Sequence, residues 1–264
     1  MGSRGATHYP YFASPFLALA HRGGITAAAP AEVENSVRSF VAAWEVGYTH
    51  LETDVHATSD GVLIAFHDDR LDRVTDAQGV IADLPWSAVS EARIGGQEPI
   101  PRLDELFETL PEARFNIDIK STAATDALVH AVYQHGSEDR VCVGSFSTHS
   151  IRRFRKLCGG RVATSASPVE AAVFGAGQGI RRAWPLGGQA FQVPEKIPGT
   201  RVRLVTPGMI AAAHLRGAVV HVWTVNDPDA MERLIDLGVD GIVTDELGML
   251  QDVLRERGLW EGNR

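Results

Sequence analysis

The sequence predicts one α/β domain over residues 1–264, folded as a (β/α)8 TIM barrel with a small insertion after strand 2. Three observations predict it. Eight short β-like runs alternate with helical patterns from end to end, which implies a parallel sheet. The 264 residues match the ~250 that a single closed barrel uses. No Gly-x-Gly-x-x-Gly follows the first run, which weakens the case for an open dinucleotide-binding sheet.

The strands read as Phe16–Ala20, His50–Val55, Arg114–Ile119, Arg140–Ser145, Val162–Ser165, Gln189–Val193, Val219–Val225 and Asp240–Thr244. A further run, Val62–Phe66, follows the second, with Asp60-Gly61 as a hairpin-turn signal between them. Helices follow from spacing. Val37, Phe40, Val41 and Trp44 share a face, and Leu103, Leu106, Phe107 and Leu110 repeat it. Asp227 is an N-cap with Pro228 at the first helical position, Met231, Leu234 and Ile235 form the buried stripe, and Gly238 stops it. Leu247, Leu250 and Leu254 mark the last helix. The segment 68–101 is too long for a simple connection and reads as the insertion, lying over one end of the barrel. Gly175-Ala176-Gly177-Gln178-Gly179 reads as a loop, because it follows a helical pattern rather than a strand.

Composition narrows the function. Hydrophobic residues are 44% and charged residues 22%, an ordinary globular balance. The net charge of −8 repels a nucleic-acid backbone, so no nucleic-acid partner is expected. Two cysteines build neither a disulfide framework nor a four-thiolate zinc site. No run approaches the ~18 apolar residues of a membrane span, so no stable membrane insertion is expected. Ala18-Leu19-Ala20 imitates a signal-peptidase site, but cleavage there would remove the first strand; a cytoplasmic location is the expectation.

Barrel enzymes take their reacting groups from the C-terminal strand ends. Those ends carry His21-Arg22-Gly23-Gly24, then Glu52-Thr53-Asp54, His67-Asp68, Asn116-Ile117-Asp118-Ile119-Lys120, Gln192 and Trp223-Thr224. Residues two apart on a strand share a face, so Glu52 joins Asp54, and Asn116, Asp118 and Lys120 join one another. The carboxylates of Glu52, Asp54 and Asp118 either pair with Arg22 and Lys120 in a buried ionic network or hold a hard divalent cation, Mg2+ or Ca2+. Three acids against two bases leave excess negative charge, which favours the cation. His21 and His67, at separate strand ends, suit a general acid and a general base. Arg22 and Lys120 suit a phosphate beside a metal. His50 and His56 share the face of Glu52 and Asp54 but lie at the strand's two ends, and read as background.

In order along the chain, His21-Arg22-Gly23, Glu34-Asn35-Ser36, Glu52-Thr53-Asp54-Val55, Thr58-Ser59-Asp60-Gly61, His67-Asp68, Leu71-Asp72-Arg73-Val74-Thr75, Ile100-Pro101-Arg102-Leu103-Asp104-Glu105, Asn116-Ile117-Asp118-Ile119-Lys120, Val222-Trp223-Thr224-Val225-Asn226 and Gly238-Val239-Asp240-Gly241-Ile242-Val243-Thr244-Asp245 resemble the glycerophosphodiester phosphodiesterase family. The resemblance implies a (β/α)8 barrel that hydrolyses a small-molecule glycerophosphodiester to glycerol 3-phosphate and an alcohol. It implies His21 and His67 as the acid/base pair, and Glu52, Asp54 and Asp118 as ligands of a divalent cation. It also implies phosphate contacts from Arg22 and Lys120. In the reading of the residues themselves, Trp223 and Phe146 either wall the glycerol side or pack in the core. The chain departs from the family pattern in three places: Asp118 stands where Glu is usual, Ser36 where Thr is common, and the connection Ile25–Val33 is longer and alanine-rich. The nucleophile is either water or the substrate's own 2-hydroxyl. Three rivals remain: a lysophospholipase D or sphingomyelinase D-like enzyme, a metal-dependent amidohydrolase (disfavoured by the missing His-x-His on strand 1), and a non-catalytic metabolite-binding barrel.

Overall fold

The computed structural model describes residues 4–175, 186–197 and 199–262. In chain order, 3-10 turns at Ala6–His8 and Pro10–Phe12 precede β1 (Leu17–Ile25) and α1 (Val37–Glu45). Next come β2 (His50–Ala57), β3 (Leu63–Ala65), α2 (Trp86–Val89), β4 (Arg93–Ile94), β5 (Glu98–Pro99) and α3 (Leu103–Thr109). β6 (Arg114–Ile119), α4 (Ala124–Gln134), β7 (Val141–Gly144), α5 (Thr148–Cys158), β8 (Ala163–Thr164) and α6 (Pro168–Gly175) follow. The chain continues with β9 (Ala190–Pro194), α7 (Pro207–His214), β10 (Val219–Trp223), α8 (Pro228–Asp236), β11 (Gly241–Glu246) and α9 (Leu247–Glu256).

Among the described residues, eight parallel strands are ordered β8-β7-β6-β2-β1-β11-β10-β9. A single parallel bridge, Ser165 to Ala190, joins the two end strands and rounds the sheet into a barrel. β3 pairs antiparallel with β2 across the turn that holds Asp60-Gly61. In β2 alternation sets the two faces. Leu51 and Val55 join the apolar layer between strands and helices, with Phe40, Phe107 and Phe115. The even residues His50, Glu52, Asp54 and His56 take the other face.

Helix ends follow the sequence signals. Ser36 caps α1 by accepting from the Ser39 amide. Asp227 caps α8 by accepting from the Ala230 amide, with Pro228 in the first turn. The 68–101 segment packs its own small core of Phe66, Leu71, Ile81, Val89, Ile94 and Ile100. At the N-terminal end of the barrel, Tyr9 and Tyr11 pack with Leu17, Leu19, Cys142 and Val243. The reading of Gly175–Gly179 as a loop falls outside the described residues apart from Gly175, which ends α6.

One boundary is corrected. The first strand continues through His21-Arg22-Gly23-Gly24 to Ile25 rather than stopping at Ala20. Its register with β11 shifts between Ala20 and Ile25, so the motif is an irregular stretch inside a strand. Arg22 has φ 52° and Gly23 φ 90°. A Cβ on Gly23 would come within 2.4 Å of the Ser39 hydroxyl oxygen, so glycine is required for both its backbone angle and its closeness to α1. Arg22 is a non-glycine residue in the left-handed region, a cost of order 1 kcal/mol that surrounding contacts must hold.

Candidate active site

Register stacks the polar residues in layers. His21 lies beside Glu52 and Glu52 beside Asn116. One layer further toward the C-terminal ends, Asp54 lies beside Asp118 and Asp118 beside Gly144. Together with Arg22, His67, Lys120 and Trp223 they line one cavity of about 830 Å3. All the residues singled out from the sequence are therefore brought to one place. Gly144 helps to open it: a Cβ there would lie 3.1 Å from the Ser165 hydroxyl oxygen and 3.5 Å from Asp118 Oδ1.

The acids and bases form a connected network. Lys120 Nζ stands 2.9 Å from Asp54 Oδ1 and 2.7 Å from Asp118 Oδ2. Arg22 Nε is 3.3 Å from Asp54 Oδ2, and the Arg22 amide donates to Glu52 Oε2 at 3.2 Å. Asn35 donates to Asp54 Oδ2 at 3.4 Å and accepts from the Thr53 hydroxyl at 2.8 Å. With Lys120 between Asp54 and Asp118, no group of three or more His, Cys, Asp or Glu side chains among the described residues closes around a single point as it stands.

Each histidine is fixed by a carboxylate. His21 Nδ1 meets Asp245 Oδ1 at 2.6 Å, and Asp245 Oδ2 accepts from the Asn226 amide at 2.7 Å. His67 Nδ1 meets Asp68 Oδ1 at 2.6 Å, and the Arg73 guanidinium grips the same carboxylate through Nε at 2.6 Å. Behind His67, His56 Nε2 bonds the His67 carbonyl oxygen at 3.1 Å.

Burial and neighbours shift the titrations. Burial works against the His21 imidazolium, but the Asp245 hydrogen bond and the Glu52 charge outweigh it and raise its pKa. Burial, then the Asp54 charge, raises Glu52 to about 7. Burial raises Asp118 to about 6 against the pull of Lys120. Asp54 goes the other way: burial would raise it, but Lys120, Arg22 and His67 together hold it below the usual carboxylate value. The Arg73 hydrogen bond holds Asp68 at about 2. The site thus carries a carboxylate pair with too little positive charge around it and two imidazoles locked by anions.

Phe146, largely exposed, meets Trp223 edge-on at 5.7 Å between ring centres, and Lys120 Nζ lies 5.3 Å from the Phe146 centre. The two aromatics therefore border the cavity side by side. Across it, Gln192 donates to Asn116 Oδ1 at 2.6 Å.

Sequence reasoning missed the anchors of both histidines. Asp245 is the penultimate residue of β11, so the strand-end rule reaches it once that strand is included. Asp68, next to His67, was visible in the motif but not as an anchor. Glu34 and Arg73 are linked only in space: Arg73 Nη2 donates to Glu34 Oε1 at 2.6 Å, and Arg22 Nη1 donates to the same oxygen at 3.2 Å. No spacing rule connects residues so far apart in sequence.

A barrel mouth that gathers two carboxylate-fixed imidazoles, two cations and three clustered carboxylates has the groups of a polar, charge-lined enzyme site. The chain belongs to the Glycerophosphoryl diester phosphodiesterase family, whose model matches residues 21–249. A Mycobacterium tuberculosis protein, "Probable glycerophosphodiester phosphodiesterase 2", is 38% identical and covers 93% of this chain and 93% of its own length. A glycerophosphodiester phosphodiesterase structure from Parabacteroides distasonis is 26% identical with a TM-score of 0.74, covering 93% of this chain and 99% of that one. An Oleispira antarctica phosphodiesterase, solved with the product sn-glycerol-3-phosphate, shares the fold at 22% identity and a TM-score of 0.76, covering 93% of this chain and 99% of its own. No helix among the described residues is long and apolar enough to cross a membrane.

Proposed function

We propose that this chain hydrolyses glycerophosphodiesters to glycerol 3-phosphate and an alcohol, with His21 and His67 as the acid–base pair. The observation that carries the reading is the meeting of each imidazole Nδ1 with a carboxylate at 2.6 Å. Each ring is fixed by that contact, and Nε2 is the nitrogen left to exchange a proton over the cavity.

The two anchors differ. Asp245 is bonded by a neutral amide, so its full charge favours the His21 imidazolium. That suits the group that protonates the departing alkoxide. Asp68 is neutralised by Arg73, which suits His67 to take the proton from the attacking hydroxyl. One P–O bond forms to the nucleophile, one breaks to the alcohol, and the proton given up at one imidazole is balanced by the proton supplied at the other. Water and the substrate's 2-hydroxyl remain the two candidate nucleophiles, and trapping a cyclic phosphate separates them. Arg22 and Lys120 would hold the non-bridging oxygens, and Trp223 and Phe146 the glycerol face.

The donor set suits a hard divalent cation, Mg2+ or Ca2+. Its members are carboxylate oxygens, and Glu52 is raised to about 7 by burial and by Asp54 for want of positive charge. Glu52, Asp54 and Asp118 would hold the ion, which when bound supplies Lewis-acid polarisation of a phosphoryl oxygen.

The test is glycerol 3-phosphate release from a panel of glycerophosphodiesters, by EDTA-treated protein given Mg2+ or Ca2+. No release from any substrate with either ion overturns the reading. A lysophospholipase D reading is favoured by one observation, the apolar wall of the cavity formed by Ala166, Pro168, Ala171, Val193, Ile197 and Leu204. Lysophospholipids in the same panel decide it: faster turnover than the short diesters assigns that wall to an acyl chain.

A further inference from the structure

Arg73 lies in the insertion, and its side chain is 48% exposed at the rim of the site. Its guanidinium reaches two carboxylates at once. Nε donates to Asp68 Oδ2 at 2.6 Å and Nη2 to Asp68 Oδ1 at 3.1 Å, a two-pronged grip. Nη2 also donates to Glu34 Oε1 at 2.6 Å. Each carboxylate passes the contact on to a different residue of the candidate site. Asp68 Oδ1 is the atom that meets His67 Nδ1, and Glu34 Oε1 is the atom that accepts from Arg22 Nη1.

We infer that Arg73 is a positioning residue which, from the insertion, sets both the orientation and protonation of His67 through Asp68 and the placement of the Arg22 fork through Glu34. The inference rests on the acid–base reading of His67 and the phosphate reading of Arg22 given above.

An isolated exposed ion pair contributes little to stability, because water screens it. Arg73 instead does two specific things. It pairs with the Asp68 charge, so the carboxylate that holds the ring is itself held on its other side. It also keeps Glu34 from drawing the Arg22 guanidinium wholly to itself. Arg22 has φ 52° and the next residue past Glu34, Asn35, has φ 59°, so both ends of this arm depend on neighbouring contacts to stay placed.

The sign follows. Without Arg73, Asp68 bears an uncompensated charge against Nδ1, so the His67 imidazolium is favoured and its titration midpoint rises. Other charged or titratable groups near His67 are Asp54 and His56 on β2, Asp69 beside Asp68, and Lys120 beyond Asp54. Asp54 keeps Lys120 as a partner whether or not Arg73 is present, and Glu34→Gln, which leaves Arg73 on Asp68, separates any effect carried through Arg22. The change therefore reads the Asp68 arm.

The experiment titrates the imidazole resonances of wild type and Arg73→Ala by NMR, with His67→Gln to assign the signal, alongside kcat and KM for one glycerophosphodiester across pH. Arg73→Ala is expected to raise the His67 midpoint by roughly half to one pH unit, to lower kcat about 10- to 100-fold through misplacement of the ring, and to raise KM several-fold. Arg73→Lys restores the midpoint, because the charge returns, but recovers kcat only in part, because the fork does not. Glu34→Gln isolates the other arm: KM rises while the His67 midpoint stays. An unmoved midpoint in folded Arg73→Ala overturns the inference, and so does a rise in KM absent from both Arg73→Ala and Glu34→Gln. A wild-type protein that releases no glycerol 3-phosphate, yet shows the midpoint shift, overturns the catalytic reading and leaves the Asp68 arm standing.

Discussion

The barrel carries histidines at both ends, half-buried at one and buried at the other, and their surroundings are opposite. At the C-terminal mouth, His21 and His67 each meet a carboxylate at 2.6 Å. Toward the N-terminal end, His50 Nε2 bonds the Tyr11 carbonyl oxygen at 3.0 Å, and His221 contacts the Gln192 amide at 3.4 Å. No carboxylate partners either one among the described residues. Burial drives His50 down to about 4 and His221 to about 3, so both are neutral packing residues at physiological pH. At the mouth, anions reverse that pressure on His21. The same side chain on neighbouring strands is held protonatable or neutral according to whether an anion stands behind it.

The largest expected effect tests this contrast directly. His21→Ala and His67→Ala each lower kcat by roughly 10²–10⁴-fold, the scale of general acid–base catalysis, with folding retained by circular dichroism. His50→Ala is expected to do the reverse: turnover near wild type, and a loss of about 1–3 kcal/mol in denaturant unfolding from the stranded Tyr11 carbonyl. Equal losses of turnover at both ends would erase the distinction.

A step smaller, Asp245→Asn keeps the shape behind His21 and removes the charge. His21 then loses what raises its pKa, and a general acid must stay protonated to work. The basic limb of the pH–rate profile should move to lower pH, with kcat down roughly 10²-fold. A moved acidic limb instead would exchange the roles of the two histidines.

Arg22→Lys sharpens the comparison at the phosphate. Arg22 spreads its guanidinium between Asp54 and Glu34, which a lysine cannot imitate. A rise in KM of roughly tenfold, about 1.4 kcal/mol, is expected. Unchanged kinetics would make Arg22 a structural cation.

The smallest effect is thermal. Glu52 and Asp118 are raised, so the folded chain binds more protons than the unfolded one between their ordinary values and about 7 and 6. His21 is raised as well. Glu52 and Asp118 make stability fall as pH rises through that window, and His21 extends the fall to pH above 6.5. A divalent cation on ionised carboxylates offsets the loss, so Mg2+ or Ca2+ should raise Tm by roughly several degrees, more at pH 8 than at pH 5.5. Asp118→Ala should shrink that gain. Equal gains at both pH values, or in both proteins, would detach the ion from these carboxylates.

Much of this was legible from residues alone, because it depends on short-range pattern. Alternation in β2 and β6 put Glu52, Asp54, Asn116 and Asp118 inward. The Asp227 cap marked a helix start, and strand ends pointed to the mouth. What sequence could not show depends on distance through space. His21 meets Asp245 from the other end of the chain, and Arg73 meets Glu34 across the insertion. The irregular continuation of β1 past Ala20 was hidden because Arg22 adopts an angle that its residue type does not announce.

The barrel is sewn unevenly. β2 and β6 are joined from His50–Arg114 through Val55–Ile119, whereas among the described residues β8 and β9 meet only at the bridge of Ser165 and Ala190. The tight staves carry the charged chemistry, Glu52, Asp54 and Asp118. The loose seam adjoins the apolar wall that includes Ala166 and Val193. Segments with few hydrogen bonds open at lower free energy than the rest of a fold. The apolar wall can thus loosen at that seam while Glu52, Asp54 and Asp118 keep their register on the far side of the mouth. A substitution along the seam would reshape the wall and leave the charged layer as it is.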